Sequence, residues 1–297
     1  MKMKNYRVIL SIDGGGIKGI VPLVILDHIV ENFKAIGRRV CIPDLVDLFA
    51  GSSTGSIICA ALMQKSRSGK PLFHVRDVLN LYLHRGNDIF KKKFSESYNR
   101  SYNPLKVVLQ HNFGQTFLSD LDHEFMFLSF DLKSNEPYIF SKKSSDISEV
   151  TLAEALMAST AVPGYYPPLN MRHYELADGM LACKNPSRYA YNYSKLIYPN
   201  ETVLMVSIGT GFKKNDRDSW IEDEVNKTHE FMTNIAQIDR DFYYLRLQPE
   251  LKRASTEIDD TSPQNLKALV DDTLDYLQDG LHFKRLFELM KIKCGVN

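Results

Sequence analysis

Apolar residues follow two rhythms along the chain, and their alternation sets the fold class. Residues 7–12 (RVILSI) are rich in β-branched side chains and run into Asp13-Gly14-Gly15-Gly16, which predicts a buried strand ending in a glycine turn. Residues 17–36 then place Ile20, Leu23, Val24, Ile29 and Phe33 at helical spacing, with Pro22 tolerated near the start and Gly37 as the stop. A second strand is predicted over 45–50. It meets Gly51-Ser52-Ser53-Thr54-Gly55, and a helix follows over 56–64. Strand, turn and helix, repeated, is the alternation of a mostly parallel α/β sheet flanked by helices.

Further strands are predicted over 124–132, 138–141, 173–176, 202–208 and 242–247, and helices over 75–83, 152–159, 220–238 and 265–292. Residues 85–116 read as polar and loop-rich, with Lys91-Lys92-Lys93, and form a candidate cap or lid. There is no internal repeat. A chain of 297 residues buries a substantial core, and the expectation is one domain over 1–297, with 212–297 as a mainly helical C-terminal extension.

Composition narrows the classes of function. Hydrophobic residues make up 44% and charged residues 25%, which excludes disorder, and a net charge of +1 gives no global pull toward nucleic acid. Cys41, Cys59, Cys183 and Cys294 are scattered without a CxxC, so inert thiols in a reducing, cytoplasmic setting are expected rather than disulfides or a metal site. Residues 1–12 carry lysines but no long apolar stretch, so no secretory signal is expected. Apolar runs such as 57–63 fall far short of the ~20 residues that span a bilayer.

Two glycine-bearing turns carry candidate chemistry. Gly14, Gly16 and Gly19 satisfy G-x-G-x-x-G between a strand and a helix, the place of a dinucleotide fingerprint. The ribose-binding acid expected about 20 residues later is not clearly supplied, since Glu31 is too early and Asp44 too late. A tight packing turn is the plainer alternative. Gly51 to Gly55 is G-x-S-x-G at a strand end, where a nucleophilic serine protrudes on a sharp turn and its neighbours must be small for the turn to close. The N–H groups of the following helix favour negative charge developing there.

A serine hydroxyl needs a base within hydrogen-bond reach. No histidine is marked for that role; His173 is the best placed of the eight, five residues before Asp178. Asp178 itself ends a predicted strand and precedes Gly179. That placement suits a carboxylate facing a neighbouring strand end, and equally an ordinary Asp-Gly turn.

Together these pieces resemble the patatin-like phospholipase family over roughly residues 7–211. Asp13-Gly14-Gly15-Gly16-Ile17-Lys18-Gly19 looks like its oxyanion loop, and residues 48–56, which contain Ser53, look like its nucleophile elbow. Ala158-Ser159-Thr160-Ala161-Val162-Pro163-Gly164-Tyr165-Tyr166-Pro167 is similar to the small-residue and proline stretch before its aspartate strand. Asp178-Gly179 and residues 207–211 match later motifs. Lys18 stands where the family carries arginine, Met180 where it carries a small residue, and Ser56 where glycine is common.

The resemblance implies a patatin-like three-layer sandwich and a serine lipid acyl hydrolase. By position it implies Ser53 as nucleophile, Asp178 as proton acceptor, and amides near Gly14, Gly15 and Gly16 as the oxyanion hole. It implies phospholipid or lysophospholipid substrates, no cofactor and no metal, so activity is expected to survive chelation. Ile89, Phe90 and Phe94 beside Lys91-Lys92-Lys93 suit transient contact with a membrane surface, although a solvated basic loop is the simpler reading. Residues 274–289 are amphipathic and read as a packed helix. Members that are secreted effectors or signal-activated lipases keep open a latent enzyme, activated by a ligand or protein, and a location in a host cell. Nucleotide binding through Gly14 to Gly19 is the remaining alternative.

Overall fold

The computed structural model describes residues 6–66, 68–90, 104–145, 147–214, 220–278 and 280–296. The chain opens with strand β1 (Arg7–Ile12), five of whose six residues are buried, then a single 3-10 turn (Gly16–Gly19) and helix α1 (Ile20–Ala35). A short helix α2 (Ile42–Leu45) replaces the start of the strand predicted over 45–50, because Pro43 suits a first helical turn and the Asp44 carboxylate accepts the Cys41 N–H at 2.8 Å. Strand β2 (Leu48–Ser52) leads into α3 (Thr54–Met63), all ten residues of which are buried. A helix apolar all round belongs inside a layered core rather than on its surface.

Next come α4 (Val75–Phe90), α5 (Pro104–Phe113), β3 (Glu124–Asp131), β4 (Glu136–Ser141), α6 (Leu152–Ser159), β5 (Leu169–Met171) and β6 (Tyr174–Asp178). The remainder is α7 (Ser187–Ile197), β7 (Val203–Ile208), α8 (Trp220–Ile238), β8 (Phe242–Leu247), α9 (Pro263–Gln278) and α10 (Leu281–Lys293). The segment read as loop-rich over 85–116 is therefore helical at both ends: α4 runs on to Phe90, burying Tyr82, Gly86 and Ile89, and α5 starts at Pro104. Lys91-Lys92-Lys93 and Phe94, with the membrane contact read from them, lie outside the described residues. The single helix predicted over 265–292 is two, interrupted at Gly280. None of the described helices is long and apolar enough to cross a membrane.

Among the described residues, all eight strands join one sheet. β2, β1, β7 and β8 run parallel side by side, and β3 runs parallel beside β2. The fold is thus α/β, a mostly parallel sheet between helical layers. One detail of register positions the site. β4 pairs antiparallel with β3 from Met126 to Asp131, so it fills one edge of β3 there. β2 and β6 must share the other edge. β2 faces Glu124 to Leu128, its last residue Ser52 opposite Leu128, while β6 comes the opposite way and ends with Asp178 opposite Ser129. Two strands from distant parts of the chain therefore meet end to end at consecutive positions of β3.

Candidate active site

The residue after β2 is Ser53, and its backbone lies at φ 52°, ψ −121°. Such a conformation is costly for a non-glycine residue and persists only where the surroundings impose it. Here they do so by crowding: a Cβ on Gly51 would stand 2.4 Å from the Ser56 nitrogen, and one on Gly55 would stand 2.2 Å from the Ile12 carbonyl oxygen. Any side chain at either position would push the turn open. Ser53 stands at the N-terminus of α3 and is 6% exposed.

Asp178 arrives from the other side of the strand-end junction. Ser53 Oγ donates to Asp178 Oδ2 at 2.8 Å, and the Met180 amide donates to Asp178 Oδ1 at 2.8 Å. The carboxylate is wholly buried. Loss of solvent raises its pKa to about 7, against the opposing hydrogen bonds from Met180 and Ser53. A carboxylate tuned there is far more basic than one in water. The Met180 backbone thus serves the aspartate turn, and the residue also lines the adjoining cavity. Gly179 is confined, since a Cβ there would lie 2.4 Å from the Leu128 carbonyl oxygen.

The glycine loop forms the facing wall. A Cβ on Gly14 would come 3.3 Å from the Ser53 Cβ, which places the loop directly against the serine. Gly14, Gly15, Gly16, Lys18, Ser53 and Met180 all line one cavity of about 240 Å³. Gly16 sits at φ 57° with the Ile258 carbonyl 2.2 Å from where a Cβ would be. The Gly14 amide donates to the Lys184 carbonyl (3.0 Å), and Ile17 N–H donates to the Ile258 carbonyl (2.9 Å). Because those donors are spent on protein acceptors, the loop does not offer the open row of amides that a phosphate requires. That removes the support for the dinucleotide reading, and it removes Gly14 from the candidate oxyanion donors, leaving Gly15 and Gly16.

Asp13 points away from Ser53. It is fully buried and forms a two-pronged pair with Arg246 of β8, Nη2 to Oδ2 at 2.6 Å and Nη1 to Oδ1 at 3.2 Å. Arg246 Nη1 also donates to Ser207 Oγ at 2.7 Å, and Thr210 Oγ1 donates to the Gly14 carbonyl at 2.9 Å. Together they fix the start of the loop. Gly19 packs where a Cβ would be 2.6 Å from the Tyr82 ring. Lys18 is 4% exposed, and the ion pair of Lys184 with Glu222 (2.6 Å) closes another side of the cavity.

His173 lies at the far end of β6 from Asp178, exposed, with its carbonyl taking a hydrogen bond from Lys133. Arg246, Ser159 and Lys184 carried no role in the sequence reading. Arg246 had a signal, a lone charge inside the strand run FYYLRL. Among the described residues, no group of three or more His, Cys, Asp or Glu is arranged to hold a metal ion.

The chain has an α/β fold, and its family makes it a lipid acyl hydrolase, an enzyme that cleaves carboxylic esters. The model of the patatin-like phospholipase family matches residues 10–191, more than half of the chain, and the chain belongs to that family. Among its relatives, Patatin-04/09 of Solanum tuberosum is 27% identical over 91% of this chain and 83% of its own. Patatin-like protein 2 of Arabidopsis thaliana is 30% identical over 71% of this chain and 61% of its own. Of solved structures, that of VipD from Legionella pneumophila is similar at TM-score 0.42 and 13% identity, over 92% of this chain and 67% of that one.

Proposed function

We propose that this chain hydrolyses the acyl esters of phospholipids or lysophospholipids through a Ser53–Asp178 dyad and an acyl-enzyme intermediate. The observation that carries the reading is the 2.8 Å contact from Ser53 Oγ to a buried Asp178 whose pKa is raised to about 7. A base is most effective when its pKa lies near the working pH. Asp178 takes the hydroxyl proton as Ser53 Oγ attacks the carbonyl carbon, and the Gly15 and Gly16 amides receive the oxyanion. Collapse expels the alcohol, which Asp178 protonates. Water then gives its proton to Asp178, attacks the acyl carbon and releases the fatty acid, and Ser53 recovers its proton.

Each oxyanion donor contributes roughly 3 kcal/mol in comparable sites. An alkoxide is a far better leaving group than an amide anion, and the dyad holds no imidazole to protonate a departing amine, so esters are favoured over peptides. The test is fatty-acid release from mixed phospholipid vesicles by wild type, Ser53→Ala and Asp178→Asn. Both variants are expected to fall by roughly a thousandfold or more. Wild-type turnover by either folded variant would overturn the assignment.

A further inference from the structure

The meeting of β2 and β6 end to end on one edge of β3 leaves a seam, and something must hold its two sides at a fixed distance. We infer that the turn closing α6, residues 159–161, sets the separation of Ser53 and Asp178, with the Ser159 hydroxyl as the positioning group. The inference rests on the reading of Ser53 and Asp178 as the reacting pair.

Ser159 is fully buried and its one hydroxyl makes three contacts. Its proton goes to the Leu128 carbonyl at 2.6 Å. Leu128 is the β3 residue opposite the last residue of β2, at the brink of the seam. The lone pairs of Ser159 Oγ accept the Ser53 backbone N–H at 3.2 Å and face the Ser56 hydroxyl at 2.8 Å. With the Ser159 proton committed to Leu128, Ser56 is the donor in that last contact. Two residues further on, the Ala161 carbonyl accepts the Asp178 N–H at 3.1 Å. One short turn therefore grips the backbone of both partners and the strand that lies beneath them.

Two consequences follow for the elbow. The Ser53 N–H is tied down while φ is held at 52°, so the strained conformation is supported by a bond as well as by crowding. Ser56 adds a donor that the glycine common at this place in the family does not have, so the Ser56–Ser159 link belongs to this chain's version of the elbow. Serine at 159 is required because the position needs one donor and two acceptor lone pairs within a side chain short enough to fit.

Neither Ser159 nor Ser56 is placed to touch substrate, so the effect to measure is on alignment. In the full chain, Ser159→Ala and Ser56→Ala are compared with wild type on a soluble short-chain p-nitrophenyl ester, with full pH profiles and thermal unfolding. Ser159→Ala is expected to lower kcat by roughly ten- to a hundredfold. KM should stay within about twofold. The acid limb of kcat/KM should move to higher pH, since a carboxylate that loses its hydrogen bond from Ser53 ionises less readily. Ser56→Ala should move both in the same direction by less. A folded Ser159→Ala with wild-type kcat overturns the inference, and so does one whose lower kcat comes with an unmoved acid limb. If Ser159→Ala does not fold, Ser56→Ala decides: a lower kcat with a shifted limb supports the inference, and an unchanged kcat overturns it. Asp178→Asn, assayed alongside, separates the two levels, because wild-type turnover there would sink the dyad itself whatever Ser159 does.

Discussion

The Asp13 carboxylate and the Arg246 guanidinium form a two-pronged buried pair although 233 positions separate them in sequence. Their side chains are 0% and 4% exposed. Asp13 immediately precedes the glycine loop, so the pair ties the last core strand to the wall of the site. Replacing Arg246 by methionine leaves an uncompensated charge in the core, and the expected loss is about 3–5 kcal/mol in urea unfolding. Adding Asp13→Asn removes that charge, so the double variant should be more stable than Arg246→Met alone.

Asp178 predicts opposite trends for activity and stability with pH. Its folded pKa of about 7 lies above the ordinary 3.8, so the folded protein holds this proton more tightly than the unfolded chain. The stabilisation is complete below the unfolded value, declines as pH rises through the window between the two, and is gone above about 7. Across that window wild type should lose up to roughly 4 kcal/mol relative to Asp178→Asn, which cannot titrate. Thermal unfolding of both proteins from pH 4 to 8 measures it, and a constant difference would contradict the assignment. Activity should climb over the upper part of the same window, with kcat/KM half-maximal near pH 7.

The backbone at Ser53 separates two inactive variants. Ser53→Ala and Ser53→Gly both remove the hydroxyl, but only glycine is at ease at φ 52°, ψ −121°. Ser53→Gly should be the more stable of the two by about 1 kcal/mol, although glycine is usually the poorer choice beside a helix. Calorimetry of the two proteins gives the answer, and equal stability would mean that the elbow stores no strain.

Gly16→Ala probes the loop. A methyl there would meet the Ile258 carbonyl at 2.2 Å in a conformation that alanine resists, so the loop must move and carry the Gly15 and Gly16 amides with it. Loss of oxyanion alignment should lower kcat by roughly a hundredfold. Labelling of Ser53 by a fluorophosphonate should slow in step, whereas unchanged labelling would show that the loop is not the oxyanion wall.

The sheet's parallel core and the two turns were legible in the sequence because each rests on local pattern. RVILSI before three glycines and LFAGS before Ser53 announce themselves within a dozen residues. Asp178 could be placed only as a strand end beside glycine, since its meeting with Ser53 depends on the register of both strands against β3. Register is a property of pairing, and periodicity along a single strand does not contain it. Ser159 was legible as a member of a motif but not as a contact. α7, which buries Ala190, Tyr193 and Ser194 beneath a polar outer face, was missed altogether, since its buried stripe mixes apolar with hydroxylated residues. The reach of α4 to Phe90 is hidden by His84-Arg85-Gly86-Asn87-Asp88, where polar residues and a glycine interrupt the apolar spacing before the buried Ile89.

Arg246 sits late in a chain of 297 residues, and Asp13 sits at its beginning. During translation the loop that begins at Asp13 is made first, and its counter-charge emerges 233 residues later. Until β8 emerges, Asp13 is without its two-pronged partner, and the start of the glycine loop lacks the contact that fixes it in the folded chain.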